Sequence, residues 1–473
     1  MKSKARSIDK QTFRGAICVM ALLLFLQSFA TSQSFDGQKQ LASEQNKQLQ
    51  GELMALPSAA RESQFDTTQS DARPLNTATS LVDEATPDAT AAPQSTAADE
   101  KAKGYLDLYG FVEVDLGYNF RTINPDWYDS MRPTKLPTFS GEFGKNGSTY
   151  FSIRPTRFGT QGMYPTPWGD MTFTFEFDMY GVGQNAGQVA IRPRKFYGEI
   201  ASILAGQTNT NFMDIDVFPN IFEYWGPNGM VFIRQPQLRW TPIKGDTILA
   251  VAIEQPGASA DSGALADRID LSNVKGRFQW PDFTASVKHS WGKSYLRGAG
   301  VVRSIKIDNL TTNNTQSIVG WGFNVSSNVA FHKDVLRLQY VVGAGIQNYM
   351  NDAPVDVVPE LNLSNPAMPI KGKAAQMQSF VTYLDHNWSD KWSTSVGYSS
   401  LWITNTSLQT PDAFHLGQYA TINLLCAPFK NFLTGGEFQY GRRSNMSNGY
   451  HANDYKLQFS FKYSWDFRVL GKS

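Results

Sequence analysis

The 473-residue sequence has only two cysteines, and one of them, Cys18, lies within the first thirty residues. A disulfide framework is therefore excluded, and with it the small stapled secreted domains. The five histidines, His289, His332, His386, His415 and His451, are scattered and form no metal-ligand spacing, so no metal centre is expected. No Gly-rich phosphate loop or serine elbow is present, and no cofactor is implied. Charge is balanced, with 43 Lys and Arg against 42 Asp and Glu, which leaves no basic footprint for nucleic acid. Long apolar runs are missing too. The longest, Gly15 to Leu26, has 12 residues and is too short to span a bilayer as a helix.

That run has a different meaning. Lys2, Lys4, Arg6, Lys10 and Arg14 precede it and the small residues Ser28 to Ala30 follow, which reads as a secretory signal peptide over residues 1–30. Residues 31–103 are rich in Gln, Ala, Ser and Thr, carry 11 acids against 6 bases, and are expected to form a largely disordered leader. Within it, residues 41–56 place Ala42, Asn46, Leu49, Leu53 and Leu56 at alternating four and three spacing, the pattern of a short coiled coil.

From residue 104 to 473 no helical period of useful length appears, and alternation takes over. In "MTFTFEFDMY" (171–180), Met171, Phe173, Phe175, Phe177 and Met179 share one face of a strand and Thr172, Thr174, Glu176, Asp178 and Tyr180 the other. Sixteen such segments lie between residues 105 and 467, several of ten residues or more and flanked by Tyr and Trp. A soluble sandwich also alternates, but its strands are about five or six residues long. Length and aromatic girdle favour an all-β fold, a 16-stranded antiparallel transmembrane β-barrel, with the leader as a periplasmic extension. Alternate connections are brief. The others include long loops at 121–148, 210–233, 256–282 and 349–375, which parity puts on one side. The connection 161–170 is long for a periplasmic turn.

A barrel of sixteen strands is wide enough for an aqueous channel. The loop Thr210 to Arg234 carries Asp214, Asp216 and Glu223 among six aromatics, too apolar for water, and is expected to fold into the lumen. An apolar cap on the rim or a subunit contact is the other reading. Opposite it, Arg154, Arg157, Arg192, Arg194 (with Lys195) and Arg239 are expected to form a basic pore wall, since an arginine facing mid-bilayer lipid costs about 2–4 kcal/mol. Snorkelling at the interfaces is the alternative. Arg157 is out of phase with Arg154, which a bulge near Pro155 would explain. The dipeptide Asp385-His386 resembles the acid and base of an outer-membrane protease, but neighbouring strand residues point to opposite faces.

The segments "YGFVEVDLGYNF", "RPTRFG", "GQTNTNF", "VVRSIKID", "WGFNVSSNVAF" and "LQFSFKYSWDF" resemble the DcaP-like trimeric outer-membrane porins of Gram-negative bacteria. The resemblance implies a non-enzymatic channel in the outer membrane. It further implies a homotrimer among lipopolysaccharide and other outer-membrane lipid, with a pore narrowed by the third loop and a preference for small anionic solutes such as dicarboxylates. It also assigns the five arginines to the basic side of the constriction. The rival functions are an outer-membrane hydrolase and a surface structural barrel. Six residues after the last aromatic, 468–473, depart from the family pattern.

Overall fold

The computed structural model describes residues 104–257, 268–365 and 368–470; the signal peptide, the leader with its coiled-coil segment and the last three residues lie outside them. The first four barrel strands are Tyr105–Asn119, a second in two pieces (Ser148–Ser152 and Arg157–Thr166), Gly169–Tyr180 and Val189–Ile200. The fifth to eighth are Ile203–Asn209, Arg234–Ile243, Thr247–Glu254 and again an interrupted strand, Val274–Arg277 with Asp282–Trp291. Ser294–Asn309, Thr315–Phe331, Asp334–Ala344 and Gln376–Asn387 follow, then Trp392–Thr404, Phe414–Cys426, Phe432–Asn445 and His451–Leu470. The last strand pairs antiparallel with the first, from Leu106 opposite Leu470 to Asn119 opposite Lys456. Sixteen strands thus close a barrel with no free edge, the one β architecture that satisfies its backbone in lipid.

The alternation of the third strand shows what each solvent wants. Phe175 is 38% exposed on the outside, whereas Glu176, Asp178 and Tyr180 point inward and are buried. The same rule leaves Phe459, Phe461 and Tyr463 of the last strand exposed outside while Lys456, Gln458, Ser460 and Lys462 are buried inside. Tryptophans 168, 291 and 388 are exposed at the turn end of the barrel, where their amphipathic rings suit a membrane interface.

Seven connections at that end are two to five residues long. The segment 161–170, expected to be a long turn, belongs mostly to strands. Arg157–Thr166 and Gly169–Tyr180 pair as far as Thr166 opposite Gly169, so Pro167 and Trp168 alone make the turn. The second strand is broken at 153–156, where Thr156 N–H donates to the Ile153 carbonyl (3.1 Å). That turn resets the phase between Arg154 and Arg157 and lets both point inward. At the chain's end, residues 468–470 extend the last strand, and Arg468 Nε bonds Asp107 Oδ1 of the first at 2.7 Å. The tail therefore helps to close the barrel.

The long loops gather at the opposite end. The segment 345–375 contains a feature that composition concealed, a hairpin of Val357–Leu361 and Ile370–Ala374. Gln316 of the tenth strand holds it, donating to the Gly372 carbonyl (2.6 Å) and accepting from the Gly372 N–H (2.8 Å). Ile305, Ile307, Ile318 and Val357 form the small core beneath.

Candidate functional site: a lumen crossed by loops

The 210–233 loop crosses the barrel interior. Phe212, Val217, Trp225, Met230, Val231 and Phe232 are all at most 1% exposed and belong to the main apolar core. Each such side chain gains about 1.5–3 kcal/mol from burial, which favours insertion over a solvated loop. Polar contacts then fix the path. At the root, Glu254 accepts from Thr210 Oγ1 (2.5 Å) and the Asn211 N–H (2.8 Å). Asp214 accepts from Tyr295 Oη (2.9 Å) and Ser326 Oγ (2.5 Å), and Asp216 pairs with Lys288 (2.6 Å).

On the far wall, Glu437 accepts the N–H groups of Phe222 (2.9 Å) and Glu223 (3.1 Å). Glu223 itself accepts from the N–H groups of Met131 (2.9 Å), Trp225 (3.1 Å) and Gly226 (2.5 Å) and from Tyr419 Oη (3.1 Å). Burial pushes its carboxyl up to about 7, against the opposing pull of Lys456 and those N–H donors. Gly229 allows the closest approach: a Cβ there would lie 2.8 Å from the carbonyl oxygens of Phe380 and Ser400. Asp214 and Glu223 are thus anchors of the loop rather than a free acidic rim; Asp216 alone keeps substantial exposure, 46% of its side chain.

Two further loops join it, which their Pro- and Asn-bearing sequences had not suggested. Arg132, from loop 120–147, bonds Asp352 of the 345–375 segment (Nε to Oδ1, 2.9 Å). Its guanidinium lies 4.1 Å from the ring centroids of both Trp127 and Trp225. One arginine therefore ties three loops together, through contacts spanning 220 residues of sequence. Removing one partner of a buried ion pair costs about 3–5 kcal/mol, whereas apolar replacement of both is nearly neutral. Arg132→Met is accordingly expected to expose loop 120–147 to limited proteolysis, and Arg132→Met with Asp352→Asn, which removes the orphaned charge but keeps an acceptor for the Thr134 N–H (2.8 Å), to restore part of the protection. Equal cleavage of single and double variants would count against the clamp.

The five arginines all face inward, but four of them do not form an open basic wall. Arg154 binds Asp129 and donates to Tyr180 Oη (3.0 Å). Burial would raise the Asp129 carboxyl, yet the Arg154 charge and hydrogen bonds outweigh it and hold it below its ordinary value. Arg192 pairs with Asp178 (3.0 Å); Arg194 pairs with Glu176 (2.6 Å) and Asp178 (3.0 Å). Arg157 lies 3.9 Å from Glu176, and Lys195 3.8 Å. The pairing has a simple cause: the inward acids of the third strand stand directly across the register from these cations, with Asp178 opposite Arg192 and Glu176 opposite Lys195. Four cations share two carboxylates, so the cluster keeps a formal charge of +2. Arg239 differs, donating to the neutral oxygens of Gln237 (Nε to Oε1, 2.9 Å) and Asn209 (2.5 Å). Asp385 and His386 do not form a catalytic pair. Asp385 binds Arg337 (2.5 Å), and His386 Nδ1 contacts Asp334. Among the described residues no acidic, His or Cys group is arranged to hold a metal.

The DcaP outer membrane protein family matches residues 37–451. The chain belongs to that family. No curated protein matches it. Among solved structures it is similar to the outer membrane channel DcaP of Acinetobacter baumannii. The identity is 17%, covering 78% of this chain and 99% of that one, with a TM-score of 0.64. It is also similar to an anion-selective porin from Comamonas acidovorans, at 8% identity, 77% and 100% coverage and a TM-score of 0.50. This DcaP-family chain is therefore an outer-membrane protein with a β-barrel fold.

Proposed function

We propose that the chain is a passive, non-enzymatic diffusion channel that favours small anions, dicarboxylates among them, with its turns and leader in the periplasm. The observation that carries the anion reading is the charge of the inner wall. Arg157, Arg192, Arg194 and Lys195 outnumber Glu176 and Asp178 by two, and Arg239 is held by neutral oxygens. In a narrow lumen of low effective dielectric, such local placement outweighs the balanced net charge of the whole chain. The protein assembles as a homotrimer, a reading supported by the exposed apolar residues Tyr118, Phe120, Phe151, Ile153, Val189 and Ile191 along its first four strands. Planar-bilayer recording tests the function. Discrete channel steps are expected, with a reversal potential of anionic sign in a low-salt KCl gradient and current interruptions on adding succinate. A barrel that gives no steps, or one that is cation-selective at low salt, rules the reading out.

A further inference from the structure

A cavity lies at the loop end, between loop 120–147 and the 446–450 turn that joins the last two strands; its volume is about 470 Å³. That is within the range of small-molecule sites and far more than a single carboxylate fills. Loop 120–147 is fixed around it rather than left to wave in water. Asn445 Nδ2 donates to the Thr138 carbonyl (2.8 Å), and the Gly144 N–H closes a turn on the Gly141 carbonyl (3.1 Å). Both glycines take a positive φ, 82° at Gly141 and 84° at Gly144, which a side chain would strain.

Three basic residues meet on its wall: Arg121 and Lys145 from the two ends of the loop, and His451 from the start of the last strand. All three are exposed, and among the described residues no carboxylate pairs with any of them. The acids beside them in sequence are engaged elsewhere. Glu142 accepts from Thr138 Oγ1 (2.8 Å) and from the same residue's N–H, and Asp454 accepts the N–H groups of Arg121 (2.7 Å) and Tyr455 (2.8 Å). The rest of the wall is polar without charge at Ser140, Asn146 and Asn453, and the half-buried Tyr450 adds one aromatic ring. A guanidinium beside an ammonium suits a carboxylate or phosphate. Hydroxyl and amide groups around an amphipathic ring suit a body that carries hydroxyls of its own.

We propose that this cavity binds an anionic monosaccharide, a sugar acid or a sugar phosphate, with its acidic group on Arg121 and Lys145 and its hydroxyls among Ser140, Asn146 and Asn453. A dicarboxylate as small as succinate reaches the cations but leaves the polar wall without a partner. A neutral sugar satisfies that wall and leaves the cations without an anion. Binding is independent of conduction; only the use of the cavity as a loading station for the lumen rests on the channel reading.

Isothermal titration calorimetry on the purified full-length protein at low salt tests it with glucuronate, glucose 6-phosphate, glucose and succinate. The two anionic sugars are expected to bind at least about tenfold more tightly than glucose or succinate, the scale of one charge-assisted hydrogen bond. Arg121→Gln with Lys145→Gln should reduce them to the level of glucose. Both side chains are exposed and the Arg121 N–H that Asp454 accepts is retained, so this variant keeps the fold. Asn146→Ala with Asn453→Ala should bring the anionic sugars down to the level of succinate. Lys371→Gln with Lys373→Gln, on the outer hairpin, should change nothing. An unshifted thermal unfolding transition confirms the fold of each variant. Glucose binding as tightly as glucuronate would make the cavity a neutral sugar surface, and succinate binding as tightly would make it a general anion patch. Either result, or unchanged glucuronate binding in the Arg121/Lys145 variant, overturns the proposal. Glucuronate binding by a barrel that gives no channel steps would uphold the site and remove the channel reading alone.

Discussion

Removing Asn211–Met230 is expected to raise single-channel conductance about twofold or more, because the inserted loop subtracts cross-section from the lumen. The effect exceeds what one loop occupies. Trp225 packs on Trp127 (ring centroids 4.7 Å apart) and under Arg132, so the deletion also frees loop 120–147 from its support. A gentler variant separates the causes. Glu223→Ala with Glu437→Ala removes the latches on the far wall but leaves Phe212, Met230 and Phe232 in place; it should give noisier current with a smaller rise. The latch also carries a pH signature. The Glu223 carboxyl, near 7 when docked and 4.5 in its ordinary state, binds its proton more tightly in the docked loop. Docking is thus fully favoured below about 4.5 and weakens as pH rises through about 7, so current noise should grow on the alkaline side. Unchanged conductance from a correctly folded deletion barrel would mean that the solute path never passes the loop.

Much of this was legible because a membrane barrel has two solvents of opposite chemistry, and each strand must satisfy both. Phe175 and Glu176 already declare which side is which, and the terminal Tyr455–Phe467 segment repeats the statement. The insertion of the 210–233 loop was legible for a similar reason, since Trp225 and Phe232 have nowhere else to go. Strand register was not legible. Whether Arg192 meets solute or Asp178 depends on a one-residue offset that the bulge between Glu176 and Phe177 sets, and composition does not encode it. The Arg132–Asp352 contact was equally hidden, because loops rich in Pro and Asn look alike whether they wave in water or fold inward. The 161–170 connection misled for the opposite reason. It carries two prolines, yet Pro165 sits within a strand whose pairing runs on to Thr166.

Selectivity is where burial and exposure pull apart most sharply. Lys195, with 14% of its side chain exposed, and the half-buried Arg239 are the cations on this wall that still present charge to the lumen. Lys195→Glu with Arg239→Glu changes the local charge by four. At about 4 Å a unit pair interacts by roughly 4 kcal/mol in such surroundings against about 1 in water. The reversal potential in a KCl gradient is therefore expected to move to the cationic side, with slower entry of succinate. Arg192→Glu with Arg194→Glu should instead prevent folding, since it would gather four carboxylates in a buried cluster, and leaving even one buried charge unpaired costs about 3–5 kcal/mol. Lys371 and Lys373, already paired with Glu360 on the outer hairpin (3.3 and 2.5 Å), should shift little when reversed. Near 1 M salt, where the screening length falls to about 3 Å, the difference between wild type and the Lys195/Arg239 variant should shrink. A soluble, conducting Arg192/Arg194 variant with the same shift as the Lys195/Arg239 pair would show that the buried cluster, and not its exposed edge, sets the preference.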